Sequence, residues 1–282
     1  MTIASQAMTI TAPPVPRGTI ERIRWAIKDG WTITRRDFIH IVRKPEQIIG
    51  GLLFPILSVV LFGYVFGSAI MVPGGGDYRE FLMPGLFVMA MVFGIASTAI
   101  AVVTDNQRGV IDRFRSMPMA RSGVVLGRSV SDMFQAVIDL TALFVTGFVV
   151  GWGFNAGFGN ALLAIALLLW LRFAMIWLGI FLGLWFRTAE TAGMATALVF
   201  PIAMIANTFV APELMPGWLG FLAEWNPLSS TVAATRELFG NPGVSSGSWI
   251  ADNALLMAIL WPTALIAIFA PLSVRRYKRL SR

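Results

Sequence analysis

Several long stretches of this chain run without a charged side chain, among them Gln47–Gly76 (30 residues), Phe81–Thr104 (24), Thr191–Pro212 (22) and Asn253–Val274 (22). A helix needs about 20 apolar residues to cross a bilayer, so each run is long enough to do so. Two further apolar runs, Val130–Gly151 and Ala161–Phe186, have the same reach but carry charges inside. The expectation is an all-α membrane protein with six transmembrane helices, at about 48–70, 81–104, 130–151, 161–186, 190–211 and 252–274. Composition agrees: 13% of residues are charged, about half the share of a soluble domain. Pro84 is expected in the first turn of the second span, where proline costs least. Pro201 is expected to kink the fifth, Pro262 lies inside the sixth, and Thr188 with Glu190 suits a helix start.

The polar segments between the runs set the orientation. Thr104–Arg128 is the longest, and it holds Arg108, Arg113, Arg115, Arg121 and Arg128. Eight further Lys and Arg precede the first span, Arg187 lies between the fourth and fifth, and five lie in 275–282. Nineteen of the 22 therefore fall on one side, with only Arg79 and Arg236 opposite and Arg172 inside a span. The positive-inside rule places that side, with both termini, in the cytoplasm. The net charge of +7 is read as lipid-facing and topological, not as a nucleic-acid footprint. Within the loop, Val110, Phe114 and Met117 share one helical face, and Pro118 ends it. Such a short helix either presses on a soluble partner or is a solvated loop that only sets topology.

Residues 1–18 are rich in Thr, Ala and Pro and are expected to be disordered; they lack the apolar core of a signal peptide. In 19–44, Ile20, Ile23, Ile27 and Trp31 recur at helical spacing among basic residues, and Phe38, Ile41 and Val42 form a second apolar face. This suits an amphipathic helix in the cytoplasmic interface. His40, the one histidine, is read as structural. Between the last two spans, 213–239 reads as two short helices: one with Leu214, Trp218, Leu219, Leu222 and Trp225, then Leu228–Phe239. They form either a re-entrant lid over the outer end or an interfacial hairpin.

Asp139 lies nine residues beyond Val130, or ~14 Å deep at ~1.5 Å per residue. Arg172 lies at a similar depth from the other side. A mid-bilayer charge costs roughly 2.5–3.5 kcal/mol, so the two are expected to pair. Asp132, Gln135 and Asp139 fall at i, i+3 and i+7, giving the third span a polar face. That seam either lines a substrate route or fixes helix register.

The sequence has no cysteine and no GxxxxGK[ST] run, which excludes thiolate chemistry and the usual phosphate loop. No metal spacing or catalytic cluster is present either. No catalytic residue and no metal site are expected, and any energy source is expected on a partner.

Four segments resemble the ABC transporter type 2 permeases, closest to their daunorubicin-resistance branch: Arg43–Gly67, Tyr78–Met91 with its Pro84-Gly85 pair, Asp105–Arg128, and Asn226–Leu238 (NPLSSTVAATREL). The resemblance spans about 34–272. It implies the permease subunit of an exporter: a dimer, identical or with a sister permease, joined to two ATP-binding cassette subunits that hold the ATP and Mg. It implies docking on the ATPase through the N-terminal helix and through Gly109, Val110, Asp112, Arg113, Phe114, Arg115 and Pro118, with Met117 on the same apolar face. It implies re-entrant helices before the last span, so that Trp218, Trp225, Asn226 and Pro227 form an outer gate, and residence in a bacterial cytoplasmic membrane. The expected substrate is an amphiphilic drug or lipid, since few polar positions line the bundle. A glycan-exporter subunit and a proton-coupled transporter using Asp132 and Asp139 are the alternatives; a lipid-modifying enzyme lacks a catalytic cluster.

Overall fold

The computed structural model describes residues 53, 55–66, 75–109, 121–243 and 247–280. Among these residues there are helices and turns and no strand. The helices are α1 (Pro55–Val65), α2 (Tyr78–Gln107), α3 (Arg121–Val150), α4 (Phe158–Trp185), α5 (Ala189–Ala197), α6 (Val199–Ile205), α7 (Gly217–Glu224), α8 (Pro227–Phe239), α9 (Trp249–Asp252) and α10 (Ala254–Leu280). Four are long and apolar enough to cross a membrane: α2, α3, α4 and α10. Two shorter apolar segments accompany them, α1 and the stretch Ala189–Ile205. The chain runs up and down, so one end of the bundle carries the α2–α3 and α4–α5 turns (the loop end). The other carries the α3–α4 turn with α7 and α8 (the lid end).

The centre is the α2–α4 pair. Of its apolar stretch, 56% of residues are buried in each of these helices, against 28% in α3 and 11% in α10. The outer two therefore present most of their apolar surface to lipid or to another chain. Gly179 and Gly183 on α4 explain the close central contact. A Cβ at these positions would lie 3.0 Å from the Ile95 carbonyl oxygen and 2.7 Å from that of Ala99. Small residues four apart let two helix backbones approach, the geometry that stands in for hydrophobic driving force inside lipid.

Each helix end has a local cause. Asp77 accepts the Arg79 N–H at 2.9 Å and caps α2. Gly109, at φ +66°, closes it with its N–H on the Asn106 carbonyl, a left-handed stop that glycine adopts without penalty. Thr188 caps α5 by accepting the Thr191 N–H at 3.2 Å. At the loop end, Gln107 Nε2 donates to the Arg187 carbonyl at 2.9 Å, and Arg276 Nε to Leu184 at 3.0 Å. At the lid end, Trp152 Nε1 donates to Asn241 Oδ1 at 2.9 Å, and Asn241 Nδ2 to the Gly153 carbonyl at 2.9 Å. Trp152 also packs against Phe87, Phe144, Phe148 and Phe239, all with ring centroids within 5.4 Å. The α3–α4 turn is thus fastened to the end of α8.

Several expectations need correction. α2 begins at Tyr78, so Pro84 stands in its second turn rather than its first. Residues 105–107 and 121–128 belong to helices, so the polar loop is shorter than 105–128. The fifth segment is two helices rather than one kinked span, broken at Leu198. Pro201 has no N–H to return to the Ala197 carbonyl, the last residue of α5, so the helix stops there and restarts. The last helix continues through Arg275, Arg276 and Arg279 to Leu280 instead of giving way to a tail.

Candidate functional site

Two polar clusters interrupt the apolar bundle, one near the loop end and one at the lid end. The first begins on α3. Asp132 Oδ2 accepts the Thr98 hydroxyl of α2 at 2.7 Å, and Asp132 Oδ1 lies 3.1 Å from Arg128 Nε. Arg128 Nη1 is in turn 3.8 Å from Asp105 Oδ2. This chain of charges ties α2 to α3 from the loop end inward. One turn deeper, Gln135 Nε2 donates to Asp139 Oδ1 at 2.7 Å.

Arg172 does not form the expected ion pair with Asp139. Its Nη1 donates to the Met91 carbonyl of α2 at 3.4 Å, and the residue is only 2% exposed. The reason is azimuth rather than depth. Arg172, Gly179 and Gly183 share one face of α4 (i, i+7, i+11), the face turned to α2. The guanidinium fills the notch above Gly94, where any Cβ would overlap Nη1 and Cζ. Asp139 meanwhile has its carboxylate engaged by Gln135 on its own helix. Asp132 and Asp139 are the carboxylates whose charge reaches Arg172. The structure therefore brings the four expected seam residues into one region, with Asp132 bonded to Thr98 and Arg128, Gln135 to Asp139, and Arg172 to the α2 backbone.

Along α3, Gln135, Asp139, Ala142 and Thr146 are half-buried and lie on one shoulder. On one side of that shoulder is the buried face of Ala136, Leu140 and Leu143; on the other is an exposed apolar stripe of Val130, Phe134, Val137, Val145 and Phe148. The polar face thus borders the bundle's side and is not sealed within it.

The second cluster surrounds α8. Asn226 accepts the Leu228 N–H at 3.0 Å as the helix cap, and its Nδ2 donates to the Ile202 carbonyl at 2.7 Å. Pro227 fills the first helical position, where a missing N–H costs nothing. The Asn-Pro pair is thus a helix start fastened to the end of α6. Trp218 and Trp225 are 70% and 51% exposed and point away from the bundle; they do not plug its end within one protomer. Arg236, on the second of the two short helices expected before the last span, is 3% exposed. Its Nε donates to the Phe81 carbonyl at 2.7 Å, and its Nη2 to Asn207 at 2.7 Å and Thr208 at 3.1 Å. The Phe81 ring lies 3.6 Å under the guanidinium.

Of the expected coupling residues, Gly109 is the helix stop already described. Val110, Asp112, Arg113, Phe114, Arg115, Met117 and Pro118 lie outside the described residues, as do His40 and the whole of 19–44. Among the described residues no group of His, Cys, Asp or Glu is arranged to hold a metal ion. Sequence reasoning missed Thr98, Gly94 and the buried state of Arg236. The Gly179–Gly183 spacing, seven residues beyond Arg172, was the signal that aims that arginine at α2.

Comparison with known proteins fits this architecture. The family described as ABC-2 type transporter matches residues 29–239. A daunorubicin resistance ABC transporter permease protein (DrrB1) of Streptomyces coeruleorubidus is 31% identical over 235 residues, covering 83% of this chain and 80% of its own. A putative transport permease (ycf38) of Cyanophora paradoxa is 26% identical over 238 residues, covering 81% and 78%. A probable doxorubicin resistance ABC transporter permease protein (DrrC) of Mycobacterium tuberculosis is 23% identical over 285 residues, covering 100% and 99%.

Proposed function

Because this chain belongs to the ABC-2 type transporter family, we propose that it is the membrane subunit of an ATP-driven exporter whose ATP-binding subunits are separate chains. The observation that carries this reading is a family match across three quarters of a chain whose own sequence has no phosphate-binding loop. Two copies, or this chain and a sister, form the pathway with two ATP-binding subunits. The exposed apolar faces of α3 and α10 support such an assembly. The chain crosses six times, with α1 and the broken α5–α6 as the first and fifth crossings, in a bacterial cytoplasmic membrane. Nineteen of 22 basic residues on the loop side support placing that end and both termini in the cytoplasm. α7 and α8 then dip into the outer leaflet.

The substrate is an amphiphilic drug or lipid. Support comes from relatives named for daunorubicin and doxorubicin resistance, and from a polar shoulder on α3 beside a broad apolar stripe. That surface offers one polar rail and a large apolar wall, matched to a molecule with both characters. Segment 109–118 receives the push of the ATPase, and the bundle transmits it to the lid end. Asp132 is occupied by Thr98 and Arg128 and Asp139 by Gln135, which argues against either as a free proton carrier.

The energy source separates the two kinds of transporter. In inside-out vesicles holding this chain and its ATP-binding subunit, uptake of a fluorescent amphiphilic drug is expected to need ATP and to survive a protonophore. Uptake driven by a proton gradient without ATP would sink the proposal.

A further inference from the structure

The turn between α6 and α7 is held down by consecutive backbone carbonyls. Those of Asn207 and Thr208 accept from Arg236, and that of Phe209 accepts the Tyr78 hydroxyl at 3.2 Å. The Asn207 N–H donates to Ser229 Oγ at 3.1 Å. Arg236 reaches a third carbonyl on another element, Phe81 at the start of α2. One side chain thus clamps α8, α2 and the 207–209 turn together across the lid end. Every one of these acceptors is a neutral carbonyl. The surroundings are poorly matched for a permanent core. Asn207 Oδ1 and Thr208 Oγ1 are buried without a partner, and α8 buries two more such groups, Ser230 Oγ and Thr231 Oγ1. Buried polar groups in a settled core are nearly always hydrogen-bonded. A surface that parts and rehydrates satisfies them in its other state.

The seat is also shaped for close contact. A Cβ at Gly85 would lie 2.8 Å from Thr208 Cα and 2.9 Å from its Cβ. The turn therefore lies directly on the α2 backbone at Gly85, one turn beyond the carbonyl that Arg236 grips.

We propose that Arg236 is the positioning residue of the outer gate: it closes the 207–209 turn over α2, and its release opens the path by which substrate leaves. The proposal rests on the exporter reading above, but the clamp can be tested without ATP. The sequence has no cysteine, so Thr208→Cys supplies a single thiol at a fully buried position. A membrane-impermeant maleimide is applied to open membranes, with Ala164→Cys, also fully buried, as a core control. In the Arg236→Gln background, labelling of the thiol at position 208 is expected to rise about tenfold or more, the factor that one charge-assisted hydrogen bond is worth. Arg236→Lys, which keeps the charge but not the fork, is expected to fall between. Gly85→Ala, which props up the turn with Arg236 intact, is expected to raise it as well. Labelling at position 208 unchanged by Arg236→Gln would overturn the role of Arg236, whatever Gly85→Ala does. Should Arg236→Gln also expose the control thiol at position 164, the decision passes to Arg236→Lys, where the wild-type rate overturns the proposal. With the ATP-binding subunit present, ATP turnover is expected to expose the thiol of Thr208→Cys in the otherwise unaltered background. Exposure by the arginine variants but never by ATP leaves the clamp standing and removes the ATP-driven reading.

Discussion

Adding a methyl group at Gly94 is expected to destabilise this protein by at least the ~1–3 kcal/mol typical of overpacking, and shortening Arg172 is expected to return most of that loss. The methyl would occupy the space of the Arg172 guanidinium, which is buried between α2 and α4. Either the arginine leaves its bond to the Met91 carbonyl or the two central helices separate, and the Gly179 and Gly183 contacts are lost with them. Gly94→Ala alone should therefore unfold in detergent well below the unaltered protein. Arg172→Met alone removes a cation near Asp132 and Asp139 and should also destabilise, because a nearby opposite charge offsets part of the cost of keeping a carboxylate out of water. The double variant is expected to be more stable than Gly94→Ala by itself. Neighbours that share one space couple in this way, by about 0.5–3 kcal/mol. Additive losses would mean that Arg172 does not occupy the Gly94 notch.

Asp132 carries the second large effect. It accepts from a fully buried hydroxyl, Thr98, and pairs with Arg128. Asp132→Ala removes both at once and leaves Arg172 with one fewer carboxylate, so a loss of about 3–5 kcal/mol is expected, the range for breaking a buried pair. Asp132→Asn keeps an acceptor for Thr98 and gives up only the charge. It should be milder by about 0.5–1.5 kcal/mol, the worth of the retained neutral bond. Thermal unfolding of the purified variants, compared at equal detergent, reads the difference. Equal losses in the two variants would remove the hydrogen bond to Thr98 from the account.

Long apolar runs made the four long helices legible, α2 and α10 from runs without a charge and α3 and α4 from runs with charges inside. Ends set by one residue were legible too, such as the Thr188 cap. Side-chain direction was not. Depth along a helix follows from counting, and Asp139 does act on Arg172 electrostatically. Which way each points depends on how the helices are rotated, and Gly94, Gly179 and Gly183 decide that for Arg172. The partners of Arg236 were hidden for a related reason: a short helix before the last span was legible, but the carbonyls that α8 buries it against lie 155 and 29 residues away in sequence. The division of the fifth segment came from Pro201 acting as a restart rather than a bend.

The central claim is that this chain is moved by an ATPase that docks on the 109–118 segment. The most direct test is to co-express it with the ATP-binding subunit encoded beside it, purify through a tag on this chain alone, and measure the ATPase that comes with it. The unaltered chain is expected to bring the ATPase down, and Phe114→Asp, which puts a charge on the face proposed to dock, is expected to lose it at equal membrane level. A Phe114→Asp chain that retains the ATPase as well as the unaltered one, or an unaltered chain that never binds it, would contradict the account.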